Sequence, residues 1–293
     1  MPVYSTYKVH QSDQKVFRHF TVKNQLYVFY NCPQKEKVMQ LYSAYNQFLF
    51  SLAGRRNFYK GDKKWELTED TAFLLKRTAF HQELHNKTEG WKVLALYVKD
   101  DYFKKVLEEF RPHLSWENLP PHKDDMLLFV HLNERIKSCY LSMLTYFDED
   151  KDYPEEIIEM KFKELLYNIF KHPDNKHILS YVNAISSGYI IPIWEVMENN
   201  FMFNLKLEEF AEIANRSLSA FKREFNDHYD TSPGKWLSKK RLERAVIYLK
   251  TTDNPVSSIA FDCGFNNASH FSRVFKDHFG VTPTEYKKDL TAE

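Results

Sequence analysis

The sequence predicts an α+β protein: an N-terminal β-barrel or jelly roll carrying helices, then an all-α domain of two helix-turn-helix units joined by a long helix. Three observations predict it. In the first hundred residues, short aromatic and β-branched runs alternate with turn formers: Gln25–Asn31 (QLYVFYN), Asn46–Gly54, Thr71–Arg77 and Lys92–Val98. From about residue 100 the apolar residues recur at spacings of three and four, the helical period. Near the end, one segment is written twice. SAFKREFNDHYDTSP (Ser219–Pro233) aligns without a gap with SHFSRVFKDHFGVTP (Ser269–Pro283), identical at seven of fifteen positions.

The bulk properties bound the function. A chain of 293 residues holds roughly two domains. With 41 basic and 40 acidic residues, no global field announces a nucleic acid. No apolar run approaches the ~20 residues of a membrane span, so no membrane partner is expected. The start MPVYSTYKVHQSDQK lacks the apolar core of a secretory signal. Cys32, Cys139 and Cys263 lie far apart without metal-ligand spacing, which points to a reduced, cytoplasmic setting. Seven glycines and the absence of GxGxxG or GxxxxGK[ST] exclude a phosphate-cradling loop.

Along the chain, Gly54–Trp65 (GRRNFYKGDKKW) reads as turns between strands, its cations Arg55, Arg56, Lys60, Lys63 and Lys64 forming a charged hairpin tip; the alternative is an anion site. A helix is expected over Asp100–Phe110, stopped by Pro112. A second is expected over Asp124–Phe147 on the stripe Phe129, Leu132, Ile136, Tyr140, Met143, Phe147. A third, over Pro154–Lys171, carries Ile158, Phe162, Leu165 and Ile169, with Pro154 suiting the first turn. That stripe is expected to form a homodimer contact; the alternative is packing on the preceding helix. The acidic stretch Asp148, Glu149, Asp150, Asp152 lacks the glycine and terminal Glu of a calcium loop and reads as an interhelical loop. HPDNK (His172–Lys176) and SSGYIIP (Ser186–Pro192) break the periodicity. The expected organisation is a domain over 1–173, a linker over 174–189 and a second domain over 190–293.

In the second domain, Leu207, Phe210, Ala211 and Ala214 form one apolar stripe. A short turn leads to Ser217, a good N-cap, and to a helix burying Leu218, Phe221 and Phe225. The second copy repeats the plan. Val256, Ile259, Ala260 and Cys263 make the first stripe, Gly264 the turn, and Asn267–Phe279 the second helix. Cys263 reads as core. Two helices joined by such a turn form a helix-turn-helix, whose second helix enters the DNA major groove. That role needs an apolar back and a polar front. The fronts are Ser219, Lys222, Arg223, Asn226 in copy one and Ser269, His270, Ser272, Arg273, Lys276 in copy two. Arginine can hold guanine O6 and N7 by two parallel hydrogen bonds. The joining helix, Gly234–Lys250, would be about 25 Å long, a spacer suited to grooves about 34 Å apart. Between Arg216 and Lys250 nine basic residues face four acidic ones, a local net charge of +5 hidden by the overall balance. Phosphate contacts are expected at Arg216, Ser217, Lys235, Lys239, Lys240, Asn267 and Lys276. One amphipathic helix with an arginine would be read as a solvated face; the repeat, the two turns and the basic helix between them make DNA binding the better reading.

VSSIAFDCGFNNASHFSRVFKDHFGVTPTEYKK (residues 256–288) and SPGKWLSKKRLERAVIYL (residues 232–249) resemble the DNA-binding domain of AraC/XylS-type transcriptional regulators. The resemblance covers about residues 190–290. It implies base-reading positions at Ser219, Ala220, Lys222 and Arg223, and at Ala268, Ser269, His270 and Arg273. Residues 1–170 are similar only in layout to the family's cupin-like barrel and dimerising helices. The resemblance implies a transcriptional activator and no enzyme, with no cofactor or metal. Its implied partners are promoter DNA, RNA polymerase, a second copy of the chain, and a small-molecule effector or regulatory protein at the N-terminal domain. The rival is a cupin-like metal-dependent enzyme with a helical appendage. Its one ligand-like cluster, HQELH with His81, Glu83 and His85, matches neither the cupin metal spacing nor HExxH, and reads as a solvent-facing strand.

Overall fold

Aromatic runs that skip polar alternation belong to strands buried on both faces, and the N-terminal half is built around such strands. The computed structural model describes residues 2–85, 90–121, 125–147 and 153–291. It divides into two units, residues 4–190, and residues 191–293 grouped with the first three. The first opens with β1 (Val3–Ser5), α1 (Thr6–His10), β2 (Phe17–Val22), β3 (Gln25–Asn31), β4 (Val38–Ser43) and β5 (Asn46–Ala53). It continues with β6 (Arg56–Lys60), β7 (Lys63–Leu67), β8 (Ala72–Leu75), β9 (Thr78–Leu84) and β10 (Lys92–Val98). It closes with α2 (Asp100–Phe110), β11 (Leu127–Phe129), α3 (Glu134–Met143), α4 (Glu155–Lys171) and α5 (Lys176–Ser186).

The strands form a five-stranded sheet, β1-β4-β9-β6-β7, and a six-stranded sheet, β11-β8-β5-β10-β3-β2. One core collects Leu26, Val28, Leu49, Val93 and Ala95 of the six-stranded sheet with Phe58 and Phe80 of the other. The alternate residues of the same strands, Tyr27, Phe48, Phe50, Leu94 and Leu96, join Phe103, Ile136, Phe162 and Leu166 of the helices in a second core. Because β3, β5 and β10 bury both faces, period-two polarity is absent from them.

Four expectations are corrected. Gly54–Trp65 is mostly the hairpin β6–β7, paired from Arg56↔Leu67 to Lys60↔Lys63 around Gly61; Arg56 is buried in it and is no part of a charged tip. Its outer strand is lysine-rich, as sheet edges are, and so reads as loop. The helix expected over Asp124–Phe147 begins only at Glu134, where the Asn133 side chain accepts from the Ile136 N–H at 2.9 Å. Before it, Leu127–Phe129 pairs antiparallel with β8; Asp124 lies outside the described residues.

The dimer stripe is the third correction. Ile158 is 6% exposed, and Phe162, Leu165 and Ile169 are fully buried. They sit in the protomer's own core, Phe162 stacking on Tyr102 at 5.7 Å and meeting Tyr27 edge-on at 5.2 Å. Contacting a second copy through these four would expose that core. Last, the expected linker 174–189 is mostly α5, with Ile178, Leu179, Tyr181, Val182 and Ile185 buried. The HPDNK turn is anchored by buried Asn175, which accepts from His131 N–H at 2.8 Å and donates to His131 C=O at 3.1 Å. The acidic segment at Asp148–Asp152 lies outside the described residues.

The second unit contains α6 (Ile193–Asn200), α7 (Leu207–Ile213), α8 (Leu218–Tyr229), α9 (Pro233–Thr251), α10 (Val256–Asp262), α11 (Ala268–Phe279) and α12 (Pro283–Thr291). Nineteen residues make α9 about 28 Å long. Its first half serves the first helix-turn-helix, Trp236 packing on Phe225 and Tyr229. Its second half serves the other: Leu242, Ala245 and Leu249 share a core with Ile259, Cys263, Phe271 and Phe275.

Candidate nucleic-acid interface

The two helix-turn-helix copies end their first helices by the same device. In the first, Asn215 takes the left-handed conformation at φ +55°, and Arg216 N–H reaches Ala211 C=O at 2.9 Å. In the second, Gly264 takes it at φ +86°, and Phe265 N–H reaches Ala260 C=O at 3.0 Å. This is the hydrogen bonding of a helix terminated by a left-handed residue. The next helix starts on a polar cap. Ser217 Oγ accepts from Ala220 N–H at 3.2 Å, and Asn267 Oδ1 accepts from His270 N–H at 2.6 Å. From Asn215 to Ser217 is two residues and from Gly264 to Asn267 is three, so the second turn holds one extra residue.

Each recognition helix buries two phenylalanines, Phe221 and Phe225 in α8, Phe271 and Phe275 in α11. This back fixes which residues face out. Ser219, Lys222 and Arg223 are exposed on α8, with Ala220 half-buried. Ser269, His270, Arg273 and Lys276 are exposed on α11, with Ala268 half-buried. Apart from Lys276, these residues lie in the N-terminal half of each helix, the part that reaches base edges in this motif.

The basic residues divide into two groups. Lys222, Arg223, Lys235, Lys239 and Lys250 are exposed. Four others are engaged inside the fold. Arg216 donates from Nε to Glu224 Oε2 at 3.0 Å and from Nη1 to Ala214 C=O at 2.8 Å, bracing the first turn. Lys240 pairs with Glu198 at 2.7 Å above the Trp236 ring, and the Glu198 hydrogen bond raises its pKa. Arg244 lies over the Tyr248 ring at 4.7 Å. Arg241 donates from Nε to Phe201 C=O at 2.7 Å and from Nη2 to Phe203 C=O at 2.9 Å. Burial pushes it down to about 10, leaving it charged at neutral pH. The phosphate role expected of Arg216 and Lys240 therefore competes with existing partners, whereas Lys235, Lys239 and Lys276 carry no such side-chain bond among the described residues. Counting charge along the sequence could not separate the groups, because partners such as Glu198 and Phe201 are remote in sequence. Cys263 is core, its thiol pushed up to about 12 by burial.

In the first unit a cavity of about 150 Å³ opens between the sheets, lined by His10, Tyr30, Leu49, Phe58, Gln82 and Trp91 among others. His10 bonds Tyr97 Oη at 2.9 Å, and burial lowers its pKa to about 3, so it is neutral. Among the described residues of the lining, Glu36 alone is a charged carboxylate or cation. The HQELH residues are engaged elsewhere: Tyr59 donates to Glu83 at 2.5 Å, and His81 bonds Gln40 at 3.2 Å. His85 is exposed beyond the end of β9.

Comparison with known proteins matches residues 210–289 to a helix-turn-helix domain and residues 46–181 to the ExsA N-terminal regulatory domain. The chain is 24% identical over 234 residues to the virulence regulon transcriptional activator VirF of Yersinia enterocolitica, spanning 80% of this chain and 86% of that one. It is 26% identical over 137 residues to the transcriptional regulator ExsA of Pseudomonas aeruginosa, covering 47% and 49%. Among solved structures it is similar to ToxT from Vibrio cholerae, at 18% identity and a TM-score of 0.40, over 91% of this chain and 99% of that one. With a match to this regulatory domain ahead of a duplicated helix-turn-helix, the chain is similar in both halves to AraC/XylS-type DNA-binding transcription regulators.

Proposed function

We propose that the protein activates transcription by laying α8 and α11 into successive major grooves of promoter DNA. One observation carries this: two helices with the same cap, the same buried phenylalanine pair and the same exposed polar front hang from one continuous α9. Ser219, Ala220, Lys222 and Arg223 read bases in one groove; Ala268, Ser269, His270 and Arg273 read them in the next. Ser217, Lys235, Lys239, Asn267 and Lys276 hold phosphates, where each contact adds affinity without sequence information. Residues 191–293 are the DNA-binding domain and residues 4–190 the sensing domain. RNA polymerase is the partner recruited at the promoter.

The sensing domain receives either a small molecule or a regulatory protein. The cavity between its sheets supports the small molecule, since a mostly apolar site of about 150 Å³ admits a ligand about the size of benzene. A homodimer contact falls on what the helices leave outside: Leu141 of α3, and Ile157 and Met160 of α4, are exposed. Met160→Glu is expected to give a folded monomer in sedimentation; an unchanged dimer would place the contact elsewhere.

Binding to a site selected from random duplexes tests the DNA reading. The selected site should outcompete unrelated DNA by about 10³ or more, and affinity should fall steeply with salt. Equal affinity for all duplexes would reject sequence-specific recognition.

A further inference from the structure

Two recognition helices on one spacer read a composite site only if the joint between them is stiff, and α9 is not the sole joint. The segment between α6 and α7 belongs to the first half, since both helices pack on α8. Yet this segment is seated on the second half. The guanidinium fork of Arg241, from the middle of α9, takes Phe201 C=O and Phe203 C=O together, a planar two-point grip that lysine cannot reproduce. Met202 C=O, between them, lies against Gly264, the turn residue that leads into α11. A Cβ on Gly264 would come within 2.7 Å of that oxygen and 3.0 Å of Arg241 Nε. Two residues on from Met202, the Asn204 side chain donates to Asn266 in the same turn.

We propose that Arg241 is a positioning residue: by pinning residues 201–204 onto the Gly264–Asn266 turn, it sets the spacing and angle between α8 and α11, and hence the half-site spacing the protein accepts. The inference rests on the two-groove reading above. Two tethered modules bind most tightly when the tether holds them at the span of their sites, and a looser tether spreads that preference over several spans. Arg241 makes no contact with DNA in this role. It acts through the angle of the two helices that do.

The test uses the full-length chain and fluorescence anisotropy on three kinds of duplex. These are a selected single-protomer site, the same site with two base pairs inserted between its halves, and the site with either half scrambled. Two base pairs rotate one half by about 70°. For the unaltered chain the insertion is expected to weaken binding about 100-fold. Arg241→Gln should bind the parent site about tenfold more weakly and show an insertion penalty of only about threefold. Its affinity for the half-scrambled duplexes should stay that of the unaltered chain. Arg241→Lys should fall between the two. A merely structural role would weaken binding to all duplexes in proportion and leave the insertion penalty at its full size, which would overturn the proposal. If Arg241→Gln does not fold, Asn204→Ala decides, because it removes only an exposed hydrogen bond of the same seat. A reduced insertion penalty in that variant supports the proposal, and an unchanged one refutes it. An unaltered chain indifferent to the insertion would instead reject the two-groove reading itself.

Discussion

The first helix-turn-helix reaches its recognition helix two residues after the left-handed turn position, and the second takes three. The two turns also solve the left-handed conformation differently. Asn215 occupies it in the first, where the side chain has room. Gly264 occupies it in the second, where a Cβ would strike Met202 C=O. The ends of the recognition helices differ in the same sense. Asp230 holds φ +49° after α8, and Gly280 holds φ +82° after α11 with open space around it. One copy thus needs glycine for packing at its turn and for backbone freedom at its end, while the other needs it at neither. The two copies keep the same back, two phenylalanines per helix, and matching Ser219/Ser269 and Arg223/Arg273 on the front, and differ at the turns, the helix ends and much of the rest of the outward face. What is common includes the buried back and these two outward pairs, and what varies falls at the seams and on other outward positions.

The comparison can be broken most severely at the turn. Gly264→Ala should cost about 3 kcal/mol of stability, combining left-handed strain with displacement of residues 201–203. Gly280→Ala should cost about 1 kcal/mol, from backbone strain alone. Thermal or urea denaturation of the two variants checks this, and equal losses would mean the Met202 contact is immaterial. On the outward face, Arg223→Ala and Arg273→Ala should each cost about 1–3 kcal/mol of binding to a selected site. Each should relax base preference at one position, in different halves. Selection repeated with each variant checks it, and unchanged preferences would remove both arginines from the grooves.

The caps come next. Ser217→Ala and Asn267→Ala should each destabilise by about 1 kcal/mol, with no change in base preference, as read by denaturation beside binding. A smaller gain is expected from importing one copy's solution into the other. Asp230→Gly should stabilise by about 0.5 kcal/mol, since the left-handed position is easier for glycine. A loss there would mean the Asp230 side chain holds something the backbone geometry does not reveal.

Legibility in the sequence followed the kind of burial each residue has. Helices α8 and α11 were readable from the repeat, and the strands β3, β5 and β10 from unbroken aromatic runs, because those strands bury both faces. The hairpin β6–β7 was legible only as a charged tip, since a lysine-rich edge strand looks like loop. Leu127–Phe129 fell in register with the helical stripe that follows it, so a three-residue strand was absorbed into α3. The stripe Ile158, Phe162, Leu165, Ile169 correctly announced a buried helix face, but period alone does not say whether the covering surface is another chain or Tyr27 and Tyr102 of the same one. At the interface the outward positions of Arg223 and Arg273 could be read from the phenylalanines beside them. The inward turn of Arg241 could not, because its partners are backbone carbonyls forty residues away.

The most direct test is hydroxyl-radical footprinting of the full-length chain on a selected site. If both copies read DNA, each protomer should protect two segments about one helical turn apart on one face of the duplex, and Arg223→Ala and Arg273→Ala should each weaken one segment while sparing the other. Protection of a single segment per protomer, or loss of the whole footprint on either substitution, would contradict the account and leave one copy as a structural partner of the other.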